Sequence, residues 1–208
     1  MIRILLSLCT MVVLATAQPA SANSESLVEL LEPLVNGAGD FEQITYDSKG
    51  QPVQRSSGHF AVMKPGKFYW QTLQPYEQVL VSDAQTIWLY DPDLEQVTVK
   101  TFAGEQNQLP IRILSGDFDL IGKEFQLSEA KTEQGLVYHL APNSASSNVA
   151  SIDLTFVGQN LASMTVVDRT ETKTQFVFSN RKALSQDDKN KFAFEIPEGA
   201  DVFHDQPL

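Results

Sequence analysis

Three histidines, His59, His139 and His204, are the imidazoles of this chain, and they are far apart. No H-x-H or H-E-x-x-H spacing joins them, so a zinc site has no support in the sequence. Each reads as an exposed or hydrogen-bonded side chain. No serine stands in a G-x-S-x-G elbow, and no Walker or dinucleotide glycine pattern is present. The run Asp117-Phe118-Asp119-Leu120-Ile121-Gly122 begins like a calcium loop, but its fifth position is Ile121 and its twelfth is Ser128, where oxygen ligands are required. Asp91, Asp93 and Glu95 cluster around Pro92, which makes a turn with its charges in water. Nothing singles out a carboxylate pair of the glycosidase type among the 26 acidic residues. The expectation is a protein that is not an enzyme, without cofactor or metal.

The residues that stand out are aromatic: 12 Phe, 5 Tyr and 2 Trp. They suit either a well-filled core or an apolar cavity, and composition alone leaves both open. A formal charge of -11 argues against nucleic-acid binding, which needs a basic surface. An apolar fraction of 42% is ordinary for a globular chain of this length.

These side chains must be positioned by a folded segment that follows an export signal. Arg3 gives a short positive region, Ile4 to Ala17 is apolar, and Ala20-Ser21-Ala22 offers small residues to a signal peptidase. Residues 1–22 are therefore expected to be cleaved, leaving 23–208 as one domain. Cys9 leaves with the signal, so the exported chain has no cysteine and no disulfide. Localisation in a bacterial periplasm is the expectation.

Residues 23–35 read as a helix, with Ser24 as cap and Leu27, Leu30, Leu31 and Leu34 at helical spacing. Pro33 should kink or end it early. From Phe41 to Phe102 short β-branched and aromatic runs alternate with turn signals, as in an antiparallel meander. A short helix is expected after Pro110. Strand signals resume from Glu124 to Ser179, interrupted by a polar stretch at 142–150 that reads as a mobile loop. A short capped helix over 185–191, with Asp188 three residues after Ser185, and a last strand over 192–196 complete the pattern. The total is about 11 or 12 strands with three short helical segments. Several runs, such as Ile87-Trp88-Leu89-Tyr90 and Phe176-Val177-Phe178, are apolar on both faces and need cover on both sides. One sheet curled around helices would supply it.

Particular stretches resemble a known family. Met63-Lys64-Pro65-Gly66-Lys67-Phe68-Tyr69-Trp70 is followed by Gln74-Pro75, by Leu80-Val81-Ser82-Asp83 and by Ile87-Trp88-Leu89-Tyr90-Asp91-Pro92, with Gln96 beyond. Phe41-Glu42-Gln43 lies near the start, and Phe194, Pro197 and Gly199 near the end. In order and spacing these are similar to the periplasmic outer-membrane lipoprotein carriers, the LolA family, most strongly over residues 41–102. The resemblance implies a mainly β (α+β) fold: a single open, unclosed antiparallel β-barrel of about 11 strands with a lid of short helices. It implies a monomeric carrier that shelters the acyl chains of lipoproteins. Cargo would come from an inner-membrane ABC transporter, LolCDE, and pass to an outer-membrane receptor, LolB. A carrier or sensor of another lipid with the same fold is the alternative.

The resemblance also assigns residues. Phe41, Phe68 and Trp70 are expected at the apolar cavity, Phe68 near its mouth. Val79, Val81, Ile87 and Leu89 are taken as further wall positions, although the pattern leaves open which parity faces inward. Ile111, Ile113 and Leu114 fall where the family has a lid helix. Lys64 stands where the family usually has arginine, a position expected to latch the lid. Lysine keeps the charge but lacks the planar guanidinium fork.

Overall fold

The computed structural model describes residues 20–21, 23–102, 109–145 and 147–204. Apart from Ala20 and Ser21, the expected signal segment lies outside the described residues. Helix α1 spans Ser24–Leu31. The cap is Asn23, not Ser24: its side chain accepts from the Glu25 N–H, and Glu25 favours the positive end of the helix dipole. The helix stops at Leu31, two residues before Pro33, which cannot donate to the ladder and crowds the preceding turn. Leu27 and Leu31 are fully buried on its inner side.

Strands β2 (Gly37–Tyr46), β3 (Pro52–Met63), β4 (Lys67–Gln74), β5 (Gln78–Asp83), β6 (Thr86–Asp91) and β7 (Gln96–Thr101) follow as a meander. Its hairpins share a device. Asp47, Asp83 and Asp91 each end or follow a strand and turn a carboxylate oxygen back onto backbone N–H groups of the turn. Two helices form where one was expected after Pro110: α2 (Leu109–Leu114), which has Pro110 in its first turn, and α3 (Asp119–Glu124). Gly116 separates them with φ +89, and a Cβ there would meet Lys64 and Val35.

Strands β8 (Phe125–Thr132), β9 (Gly135–Pro142), β10 (Val149–Val157), β11 (Asn160–Asp168) and β12 (Lys173–Ala183) complete the antiparallel set. The polar 142–150 stretch contributes residues to both flanking strands. Asn143, just past β9, donates its backbone N–H to the Glu124 carbonyl and its side-chain amide to the Lys123 carbonyl. Helix α4 (Gln186–Asn190) carries the expected capping box between Ser185 and Asp188.

The predicted strand over 192–196 is absent. Phe192 instead closes turns after α4 and packs on Ala38 and Ala61, and the last strand is β13 (Asp201–His204). A two-residue β1 (Ala20–Ser21) pairs with β8.

One sheet results, in the order β1-β8-β9-β10-β11-β12-β2-β3-β4-β5-β6-β7-β13. Strands β2 to β12 are the expected antiparallel strands; β13 pairs parallel to β7. Among the described residues the end strands β1 and β13 do not pair with each other, so the sheet curls without closing. Helices α1, α2 and α3 pack on its concave face, in one core with Phe41, Phe60, Phe68, Ile152 and Phe156. No helix among the described residues is long and apolar enough to cross a membrane.

Candidate functional site

Strand register decides which side chains can meet under the helices. Directly opposed residues in an antiparallel pair lie on one face. Trp70 opposes Phe60 on β3 and Leu80 on β5, and Leu80 opposes Leu89 on β6. Phe68 opposes Val62 and Ser82, and Ser82 opposes Ile87. Phe68, Trp70, Ile87 and Leu89 therefore share the concave face. Tyr69 opposes Val81, and Gln71 opposes Val79, so Val79 and Val81 belong to the convex face. Both are buried there, which corrects their expected place in the cavity wall.

The reason lies in the C-terminal segment. Phe194 packs on Trp88 and Tyr90 at 5.9 and 6.1 Å between ring centres, and the Lys191 ammonium lies 5.1 Å from the Tyr69 ring. The runs that are apolar on both faces thus have helices on one side and the chain's own end on the other.

On the concave face aromatic rings meet edge and face. Trp70 stacks on Phe41 at 3.9 Å and an interplanar angle of 27°. Phe60 and Phe176 complete the group around Trp70, and Phe178 meets Phe60 edge-on at 5.5 Å. Gly58 makes room for the stack: a Cβ there would come within 3.0 Å of the Phe41 ring and 1.8 Å of the Gln71 carbonyl oxygen. Beneath the helices a cavity of about 20 Å³ is lined by Leu34, Phe60, Val62, Phe68, Trp70, Leu114 and Phe178, all apolar. The hollow expected from the sequence is therefore nearly filled. A volume of that order holds about one water molecule, so an acyl chain requires these side chains or the helices to move.

Of the expected wall and lid residues, Phe68, Trp70 and Leu114 line the cavity. Phe41, Ile87 and Ile113 are buried in the surrounding cluster. Leu89 lies on the same face beside Leu80. Ile111 belongs to α2, and its side chain lies outside the described residues. Leu34, Phe60, Val62 and Phe178 were not assigned from the sequence. The alternation Phe60-x-Val62 and the pair Phe176-x-Phe178 carried that signal, but only β3 and β12 pairing shows which face they share.

Polar groups fasten the helices to the sheet at one rim. The Lys64 ammonium donates to both carboxylate oxygens of Glu32, at 2.6 and 2.7 Å, just past the end of α1. It also lies 6.0 Å from the Phe118 ring between α2 and α3. Gly66 donates its backbone N–H to the Ser115 carbonyl, and the Arg112 guanidinium grips Asp117 at 2.6 Å. Asp117, the first residue of the calcium-like run, is thereby engaged by a cation.

Elsewhere, His59 and His139 each face an aspartate on the neighbouring strand at 2.6 Å, on exposed surface. Asn180 donates to the other oxygen of Asp40, and with His59 it holds that carboxyl below its ordinary value. Among the described residues no group of three or more His, Cys, Asp or Glu is placed to hold a metal ion.

The family model described as outer membrane lipoprotein carrier protein LolA matches residues 36–195. An outer-membrane lipoprotein carrier protein of Chromohalobacter salexigens is 35% identical over 190 residues, covering 91% of this chain and 90% of its own. One from Azotobacter vinelandii is 33% identical over 203 residues, covering 98% of each chain. Among solved structures, an uncharacterised conserved protein from Thermus thermophilus superposes with a TM-score of 0.55 at 11% identity, over 88% of this chain and 99% of that one. That similarity speaks to the fold alone.

Proposed function

Since the chain belongs to the LolA family of outer membrane lipoprotein carrier proteins, we propose that residues 23–208 form a single periplasmic domain. It carries lipoproteins by sheltering their acyl chains between the concave face and the helices. The observation behind this reading is the wholly apolar, aromatic-walled cavity, covered by Leu114 of the six-residue helix α2 and by Leu34 after α1. Burying a methylene contributes about 0.8 kcal/mol, so three chains of roughly 16 carbons represent tens of kcal/mol in water. A carrier must offset most of that cost and still release its cargo. Helices this short gain little stability of their own and are held by packing, so a guest that takes over their apolar contacts can displace them.

The carrier is read as a non-enzymatic monomer, exported through a cleaved signal at 1–22. It takes cargo from the inner-membrane transporter LolCDE and yields it to the outer-membrane receptor LolB. Phe41, Phe68, Trp70, Ile87, Leu89, Ile113 and Leu114 contribute to the apolar site, and Lys64 latches the roof through Glu32. Mass spectrometry of the protein isolated from the periplasm tests this. An acylated lipoprotein bound in stoichiometric amount is the expected result. A lipid without protein would favour the carrier or sensor of another lipid, and the absence of any acylated species would overturn the reading.

A further inference from the structure

The concave face changes chemistry along its length. On β4 the inward positions run from Phe68, buried, through Trp70 to Thr72, both half-buried. On β12 they run from Phe178 through Phe176 to Thr174, and on β2 from Phe41 to Gln43 and Thr45. On β3 they run from Val62 and Phe60 past Gly58 to Ser56 and Gln54. Cross-strand register puts the polar ends side by side: Thr45 opposes Thr174 and Gln54, Gln43 opposes Ser56, and Gly58 opposes Thr72. A collar of six uncharged hydrogen-bonding side chains thus follows the aromatic group, at the end away from Lys64.

Two features separate this collar from ordinary surface. It carries no charge in a chain with 20% charged residues, whereas the outward positions of the same strand segments include Glu42, Arg55 and Lys173. And Ser56 is only 9% exposed, yet its hydroxyl has no hydrogen-bond partner among the described residues. Burial costs such a hydroxyl hydration, which the carbonyl of a ligand would replace. Thr45 and Thr174 meet only at 3.5 Å, a weak bond at best.

An acyl chain is joined to a protein through an ester or an amide. Both are uncharged, and both present a carbonyl acceptor. Hydroxyl and carboxamide donors match them, while a fatty-acid carboxylate or a phosphate would call for cations that the collar lacks. We propose that Gln43, Thr45, Gln54, Ser56, Thr72 and Thr174 form a subsite for the ester and amide linkages of the cargo. Trp70 and Phe176 mark the boundary beyond which only hydrocarbon passes. This inference rests on the carrier reading.

The test compares two probes, a synthetic peptide bearing palmitoyl ester and amide groups, and the apolar fluorophore pyrene. Wild-type protein and the near-isosteric variant Gln43→Met, Ser56→Ala, Thr72→Val are titrated with each. The expected result is that the variant binds the peptide about tenfold more weakly and pyrene unchanged. Ser56→Ala alone, expected to lose about threefold for the peptide only, serves if the triple variant does not fold. Equal affinity of variant and wild type for the peptide overturns the subsite, as does an equal loss for both probes. Tighter wild-type binding of palmitate than of the peptide overturns it too. Wild-type protein that binds neither probe would bring down the carrier reading itself, and the subsite with it.

Discussion

Lys64 joins the β3–β4 turn to the end of α1, and its side chain and that of Glu32 are 39% and 45% exposed. A pair so open to solvent contributes under about 1 kcal/mol to folding. Its placement matters more than its strength, since the ammonium spans α1 and the Phe118 ring of the α2–α3 turn. Lys64→Leu should leave the melting temperature within a few degrees of wild type and speed release of cargo to an acceptor. An unchanged transfer rate would remove the latch role. Lysine can satisfy the carboxylate only as a point donor; Lys64→Arg, with its planar fork, should hold the roof more firmly and slow transfer. The sequence placed a cation here, but its partner Glu32 lies 32 positions away and becomes visible only when α1 packs across the turn.

At the scale of elements the meander was largely legible, because β-branched and aromatic runs and aspartate-led turns are local signals. What remained hidden depended on contacts distant in sequence. Val79 and Val81 look like cavity residues until the chain end is seen to cover the other face. Phe192 sits in a strand-like run, but the capping box at Ser185 starts a helix whose exit turns it inward. Gly58 is another example. In sequence it is one glycine among 11; in the structure it lies at a register shift between β3 and β4, with the Gln71 carbonyl where its Cβ would be. Gly58→Ala should cost about 3 kcal/mol, at the upper end for overpacking, because the clash is with backbone that cannot turn aside. Chemical denaturation would measure it, and a loss below about 0.5 kcal/mol would mean that the two strands can part freely.

For the molecule as a whole, acid is the informative perturbation. Asp40 is held below its ordinary 3.8 by hydrogen bonds from Asn180 and His59. Asp188 is held below it chiefly by the Ser185 hydroxyl. At Asp168 burial pushes the value up, but hydrogen bonds from Thr170 and Thr172 outweigh it and bring it down. A carboxyl whose value is lowered by folding stabilises the fold above its unfolded value. That stabilisation fades as the pH falls through the folded value. The melting temperature should be level above about pH 5 and decline below about pH 4. Asp168→Asn with Asp188→Asn should lower it at neutral pH and flatten the acid decline. A melting temperature that rises between pH 5 and pH 3 would contradict this.

The unpaired ends of the sheet set one further property. A sealed barrel has its girth fixed by strand number and stagger, and widening it means breaking a ladder. Among the described residues a seam separates β13 from the opposite end of the sheet, which is β8 once Ala20 and Ser21 leave with the signal. The wall can unfurl by small changes of twist at each strand pair, with every backbone hydrogen bond kept. An interior that is nearly solid at rest can thus swell to suit a bulky guest, and shrink back when the guest departs.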